Sequence, residues 1–273
     1  MRVRRYGQSG PLVIVLHGGP GAPGYMAPVA RGLADRFQVL EPFQRGSGGE
    51  PLTVARHVAD LRGLIESEGA GERPVLVGSS WGAMLALAFA AECPDLAGPL
   101  VLVGCGTFDM GARVRMQEIM EARTSHELRQ RLANLAKEHA DPDSELRARA
   151  RLILPLYSYE LAGEDQELGD CDARAHDETW DDMLRLEQEG LYPAAFSAIR
   201  SPAIMLHGAL DPHPGRMIFA GLKPYIPQLE YREWERCGHY PWLEKAARDE
   251  FFDCLRQWLV ASGSWPVDSA SAP

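Results

Sequence analysis

The sequence has no apolar run near the roughly 18–20 residues that cross a bilayer, and no two cysteines stand in a C-x-x-C pair. Its five cysteines (Cys93, Cys105, Cys171, Cys237 and Cys254) are odd in number and far apart. That scatter argues against a disulfide framework and against a structural zinc site, and fits reduced thiols in a cytoplasmic compartment. Cys237, two residues before His239, reads as a thiol that packs. Positive charge is also scarce: 28 Lys and Arg stand against 38 Asp and Glu, a formal charge of −10. A nucleic-acid binder needs a basic face to neutralise phosphates, and an anionic membrane surface draws on the same chemistry. Neither partner is expected. A secretory leader is not expected either. Arg2, Arg4 and Arg5 precede an apolar stretch from Pro11 to Leu16, but that stretch is shorter than a leader core of about 7–15 residues. It runs into His17-Gly18-Gly19-Pro20-Gly21 and reads as a strand.

What is present is enough apolar material for a sizeable core: 45% of 273 residues. Leu12 to Leu16 and Pro74 to Val77 are short continuous apolar runs, the pattern of strands buried on both faces. Gln38 to Leu40 and Leu100 to Val103 read as further strands. Between them, Val54 to Glu66 has apolar residues at helical spacing, and Trp81 to Glu92 is a largely apolar helix that stops before Pro94. Strand and helix in alternation predict an α/β fold with a mostly parallel sheet flanked by helices. From about Asp109 to Ala195 strand patterns vanish and only helical stretches remain, such as Arg113 to Glu121 and Glu127 to His139. Strands return at Ala203 to Leu206 and Leu229 to Trp234, and a closing helix is expected from Leu243 to about Val260. The predicted organisation is a core of residues 1–108 and 196–261, an all-helical insertion at 109–195, and a frayed tail at 262–273.

The strongest chemical signal is Gly78-Ser79-Ser80-Trp81-Gly82, directly after a buried strand and directly before a helix. A nucleophilic serine needs that setting, because a tight strained turn projects its hydroxyl above the sheet. Acyl transfer also needs backbone N–H donors for an oxyanion. Trp81, after the serine, offers one, and Gly19, in the loop after the first buried strand, is the best candidate for the second. The serine's base is expected at His239, between the last strand and the last helix. Its orienting carboxylate is expected at Asp211, just past the strand ending at Leu206, with Asp109 as the alternative acid. The order Ser80, Asp211, His239 places all three at C-terminal strand ends, where open α/β sheets hold their sites. His213 is too close to Asp211 to come from a separate loop. His17 and His207 read as residues that fix loop geometry, while His57, His126, His139 and His176 read as surface or packing residues. Gly19 to Gly24 formally matches G-x-G-x-x-G, with Glu41 17 residues further on. However, Pro20 and Pro23 delete N–H groups that a pyrophosphate would need, so a dinucleotide site is not expected.

Together these residues resemble the α/β-hydrolase superfamily. His17-Gly18-Gly19-Pro20-Gly21 with Gly78-x-Ser80-Trp81-Gly82 resembles its proline iminopeptidase-like branch. The resemblance implies a helical cap after the sixth core strand, Ser80 as nucleophile, Asp211 as acid, His239 as base, and Gly19 and Trp81 as oxyanion donors. Phe43-Gln44-Arg45-Gly46 corresponds to an Asp-Gln-Arg-Gly segment of that branch, with Phe43 in place of the acid.

The expectation is thus a serine hydrolase working through an acyl-enzyme on a small-molecule ester, thioester or lactone. An aminopeptidase acting on small peptides and a binding protein without turnover are the alternatives. No metal or organic cofactor is implied. Twelve Asp and Glu against two Arg between Tyr159 and Gly190 read as a solvated face; the resemblance implies instead cap carboxylates that hold a substrate amine.

Overall fold

Strands β2 (Leu12–Leu16), β4 (Val75–Ser79) and β5 (Leu100–Val103) are buried along their whole length. A computed structural model describes residues 1–69, 71–163 and 169–263, and shows why. With β1 (Val3–Tyr6), β3 (Gln38–Pro42), β6 (Ala203–Gly208) and β7 (Leu229–Trp234) they form a seven-stranded sheet in the order β1-β3-β2-β4-β5-β6-β7. Only β1 runs antiparallel, against β3; the other neighbours are parallel. Successive strand residues point to opposite faces. Ile14, Leu16, Leu76, Leu102 and Met205 therefore meet helices α2 (Val54–Glu68), α3 (Trp81–Glu92) and α8 (Gly215–Leu222). Val13, Val15, Val77, Val103 and Leu206 meet α1 (Ala27–Leu33) and α9 (Arg248–Ser262). Each fully buried Val or Leu contributes about 1.5–3 kcal/mol, which makes this two-sided run the backbone of the fold.

Between β5 and β6 the described residues form four α-helices: α4 (Met110–Arg123), α5 (His126–Glu138), α6 (Pro142–Ile153) and α7 (Ala173–Gln188). Asp109, Ser125, Asp141 and Asp172 cap them, each side chain accepting the N–H three residues on. A short polar acceptor at this position satisfies one of the orphan donors of the first turn. The resemblance places this insertion after a sixth strand. Counted along this chain it follows the fifth, because only one strand, β1, precedes the parallel run. That edge strand carries two arginines and no long apolar run, so its sequence gives little sign of it.

The closing helix also differs from expectation. It begins at Arg248, after a 3-10 turn at Pro241–Leu243, because Glu244 is drawn into loop contacts described below. Ser262 ends α9; residues 264–273 of the expected tail, and 164–168 of the acidic segment, lie outside the described residues. Among the described residues no helix is long and apolar enough to cross a membrane.

Candidate active site

β4 ends at Ser79 and α3 begins at Trp81, so Ser80 alone makes the turn. Its φ of 54° makes it the only non-glycine residue at positive φ among the described residues. Such a conformation costs about 1–3 kcal/mol and persists only where its surroundings hold it. Here the Ser80 N–H donates to the Val103 carbonyl at 2.9 Å, and the Ser80 carbonyl accepts from Ala83 at 3.0 Å. The flanking glycines permit the crossing of strand and helix. A Cβ on Gly78 would lie 2.2 Å from the Gly82 carbonyl oxygen, and one on Gly82 would lie 2.1 Å from that of Leu16.

Asp211 and His239 come together from separate loops. His239 Nδ1 lies 2.6 Å from Asp211 Oδ2, and both residues are buried. Nδ1 is the donor in this contact, which leaves the Nε2 lone pair available as a base. The His239 N–H donates to the Tyr157 carbonyl at 2.7 Å. The buried Glu244 carboxylate holds the same loop by accepting N–H groups from Gly238 at 2.9 Å, Tyr159 at 2.7 Å and Glu160 at 2.6 Å. Tyr157, Tyr159 and Glu160 belong to the insertion, so one carboxylate ties the insertion to the loop of His239.

His213, too close to Asp211 to come from a separate loop, nonetheless joins the cluster. Its Nδ1 lies 3.0 Å from Asp211 Oδ1, its backbone N–H donates to the same oxygen at 2.9 Å, and its ring stacks on His239 at 4.8 Å between centroids. The clue in the sequence is the Asp-x-His spacing, which suits a local side-chain-to-backbone bond. His207 Nε2 sits 3.2 Å from Asp211 Oδ2 and 2.9 Å from the His213 carbonyl. Burial opposes ionisation of Asp211, but His239, His213 and His207 together hold its carboxyl well below the usual range. Burial lowers His213 against the pull of Asp211. Asp211, His213 and His239 offer ligand atoms within 4.8 Å of one another. The Nδ1 atoms of both histidines already face Asp211 oxygens at hydrogen-bond distance, so the set is closed on itself rather than arranged as an open cation cage.

Asp109, the alternative acid, caps α4 through the Ala112 N–H at 2.8 Å. Cys237 is fully buried, and burial pushes its thiol up, as suits a packing residue. His17 fixes a loop, as its place at a strand end implied. It donates from Nδ1 to the Gly18 carbonyl at 3.0 Å and accepts the Gln44 N–H on Nε2 at 3.1 Å. Burial lowers its pKa to about 4, which keeps this neutral tautomer. The Gln44 side chain completes the lock, donating to the His17 carbonyl and accepting from Trp81 Nε1, both at 2.8 Å.

Gly19 has a φ of 42° and lines the same cavity as Ser80. Trp81 opens α3, where a first-turn N–H has no intrahelical acceptor. The loop from Pro20 to Pro23 is held from the insertion. Its carbonyls at Pro20, Gly21 and Pro23 accept from His176 Nδ1 at 2.9 Å, the Asp172 N–H at 2.8 Å and the Gly169 N–H at 2.7 Å. His176, read as a surface or packing residue, thus lines the cavity.

That cavity, of about 410 Å³, lies between core and insertion, with Ser80, His239, Tyr25 and Tyr240 below and Met116, Ile153, Leu154 and Leu184 above. The described carboxylates of the acidic segment face elsewhere. Asp172, Glu178 and Asp182 accept the backbone N–H groups of Ser47, Leu52 and Val54 at 2.7, 2.8 and 2.7 Å, fastening α7 to the chain that leads into α2.

A model of the alpha/beta hydrolase family matches residues 13–253, and the chain belongs to that family. A proline iminopeptidase of Neisseria gonorrhoeae is 40% identical over 101 residues, which cover 34% of this chain and 32% of that protein. A cis-3-alkyl-4-alkyloxetan-2-one decarboxylase of Shewanella oneidensis is 30% identical over 112 residues, covering 38% of this chain and 35% of that protein. The chain thus matches about a third of the length of these curated relatives. The enol-lactonase from Burkholderia xenovorans LB400 shares the fold, with a TM-score of 0.63 at 20% identity, over 95% of this chain and 96% of that one.

Proposed function

We propose that this protein is a serine hydrolase that forms an acyl-enzyme on a small carboxylic ester, thioester or lactone. The observation that carries the reading is that a strained Ser80 and His239 line one cavity, with the imidazole oriented by Asp211 at 2.6 Å. His239 takes the Ser80 proton through Nε2 as the hydroxyl attacks the carbonyl. The N–H groups of Gly19 and Trp81 stabilise the oxyanion. His239 then protonates the leaving group, and water, activated by the same imidazole, releases the acid and restores the serine. Asp211 stays ionised throughout, holding the tautomer and stabilising the imidazolium. The helical insertion at 109–195 acts as the cap that shapes the substrate's end of the cavity.

The test is covalent. A fluorophosphonate probe should label the wild type at Ser80 and leave Ser80→Ala unlabelled, with the melting temperature of the variant preserved. Labelling of Ser80→Ala at the wild-type rate rejects the assignment. The iminopeptidase likeness over 101 residues favours a second reading, an aminopeptidase acting on small peptides. Chromogenic acyl esters set against proline and alanine anilides separate the two: turnover of the anilides alone selects the peptidase.

A further inference from the structure

Two arginines, Arg113 on α4 and Arg149 on α6, line the cavity beside Ser80, and among the described residues no aspartate or glutamate does. Arg113 is largely buried. Its Nη2 donates to Glu187 Oε2 at 2.6 Å and to the Thr107 carbonyl at 3.3 Å. Its Nε is buried with no hydrogen-bond partner, and so is the second oxygen of Glu187. A guanidinium presents five donors in a rigid fork that matches a carboxylate; here Nε is sealed from the cavity, while Nη1 makes no hydrogen bond among the described residues. Burial pushes the Glu187 carboxyl up against the pull of Arg113, and Glu187 does not line the cavity. Around Arg113 the wall is apolar, with Met116, Leu146, Ala150 and Leu184. A substrate amine would face two guanidinium groups and no carboxylate here.

We propose that the substrate carries a carboxylate at the end away from its scissile carbonyl, and that Arg113 is the specificity-determining residue that holds it. The scissile end of this assignment rests on the serine-hydrolase reading; the anion end does not.

The experiment compares, by pH-stat, the monomethyl esters of glutaric and adipic acid with methyl pentanoate and methyl hexanoate, alongside fluorophosphonate labelling. Wild-type kcat/KM should favour the acid esters by about tenfold or more, and Arg113→Gln should remove most of that ratio. Arg113→Lys, which keeps the charge but loses the fork, should fall between. Equal kcat/KM for acid and neutral esters in the wild type overturns the proposal, as does a preference that survives in Arg113→Gln. If Ser80 is neither labelled nor active on any ester, the hydrolase reading fails while the anion site stays testable. Calorimetry should then show adipate binding to Ser80→Ala and at least about tenfold weaker binding to Ser80→Ala/Arg113→Gln. Absence of adipate binding to Ser80→Ala overturns the anion site by itself. Should Arg113→Gln not fold because Glu187 is left buried alone, the double variant Arg113→Gln/Glu187→Gln takes its place in both measurements.

Discussion

In the core, α3 buries every residue from Trp81 to Ala90, whereas in the insertion α4 buries Ala112 alone, α5 buries Leu135 alone and α6 buries none. The two regions enclose one cavity but are held in different ways. The core is held by close packing on both sheet faces, which leaves Ser80, Asp211 and His239 little freedom. The insertion is held by caps, by ion pairs such as Arg113 with Glu187, and by carboxylates seated on backbone N–H groups. Under the proposed reading, the chemistry sits on the packed region and substrate choice on the loosely packed one. The predictions that follow would break or sharpen this contrast, beginning with the largest effect.

Ser80→Ala should lower ester hydrolysis by about 10⁴-fold or more, with little change in melting temperature. A residual rate above a hundredth of wild type would remove the core's claim to the chemistry. In the same region, Phe89→Ala should cost about 3–5 kcal/mol in chemical denaturation, the price of a cavity in a close-packed core. Met116→Ala, in the insertion wall, should cost under about 1 kcal/mol while reordering the preference among esters of different acyl length. Comparable losses for Phe89→Ala and Met116→Ala would erase the contrast.

The tie between the two regions is Glu244. Glu244→Gln replaces an acceptor of three N–H groups by an amide that must turn one donor toward donors. Unfolding free energy should fall by about 1–3 kcal/mol, and kcat should fall as the His239 loop loosens. Unchanged kcat would show that the loop is positioned by other contacts.

A further effect comes from pH. Burial holds His17 and His57 near pKa 4, against 6.5 in the unfolded chain. Between those values the unfolded state binds more protons than the folded one. Stability is therefore fully present above about pH 6.5 and falls as the pH drops towards 4, by up to about 1.4 kcal/mol per unit for each histidine. Asp211 has a depressed pKa, so its contribution is present above the ordinary carboxylate range and is lost only below it. His57 Nε2 meets Thr179 of α7 at 3.0 Å, so His57→Gln should flatten the slope by one proton. An unchanged slope in denaturation from pH 4 to 7 would assign that proton elsewhere.

Much of the core was legible in the sequence because burial on two faces writes itself as continuous apolar runs. The helix Trp81–Glu92 and the strand Leu229–Trp234 have the bounds their sequence implies. The elbow at Ser80 was equally plain, since the close approach of Gly78 and Gly82 admits no side chain. Strand β1 was not legible, because an edge strand needs neither a long apolar run nor clean alternation. Nor was the start of α9, since what delays it is Glu244, whose partners at Tyr159 and Glu160 are remote in the chain.

Local pattern alone settled the parallel sheet, the helical character of the insertion and the elbow, because each follows from periodicity or from a turn that only certain residues can make. Tertiary structure alone decided that His213 stacks on His239, that Asp172, Glu178 and Asp182 seat on backbone N–H groups rather than in the cavity, and that Arg113 carries a buried donor without an acceptor. Those facts depend on which distant segments meet. Pairing between groups far apart in sequence leaves no period to read.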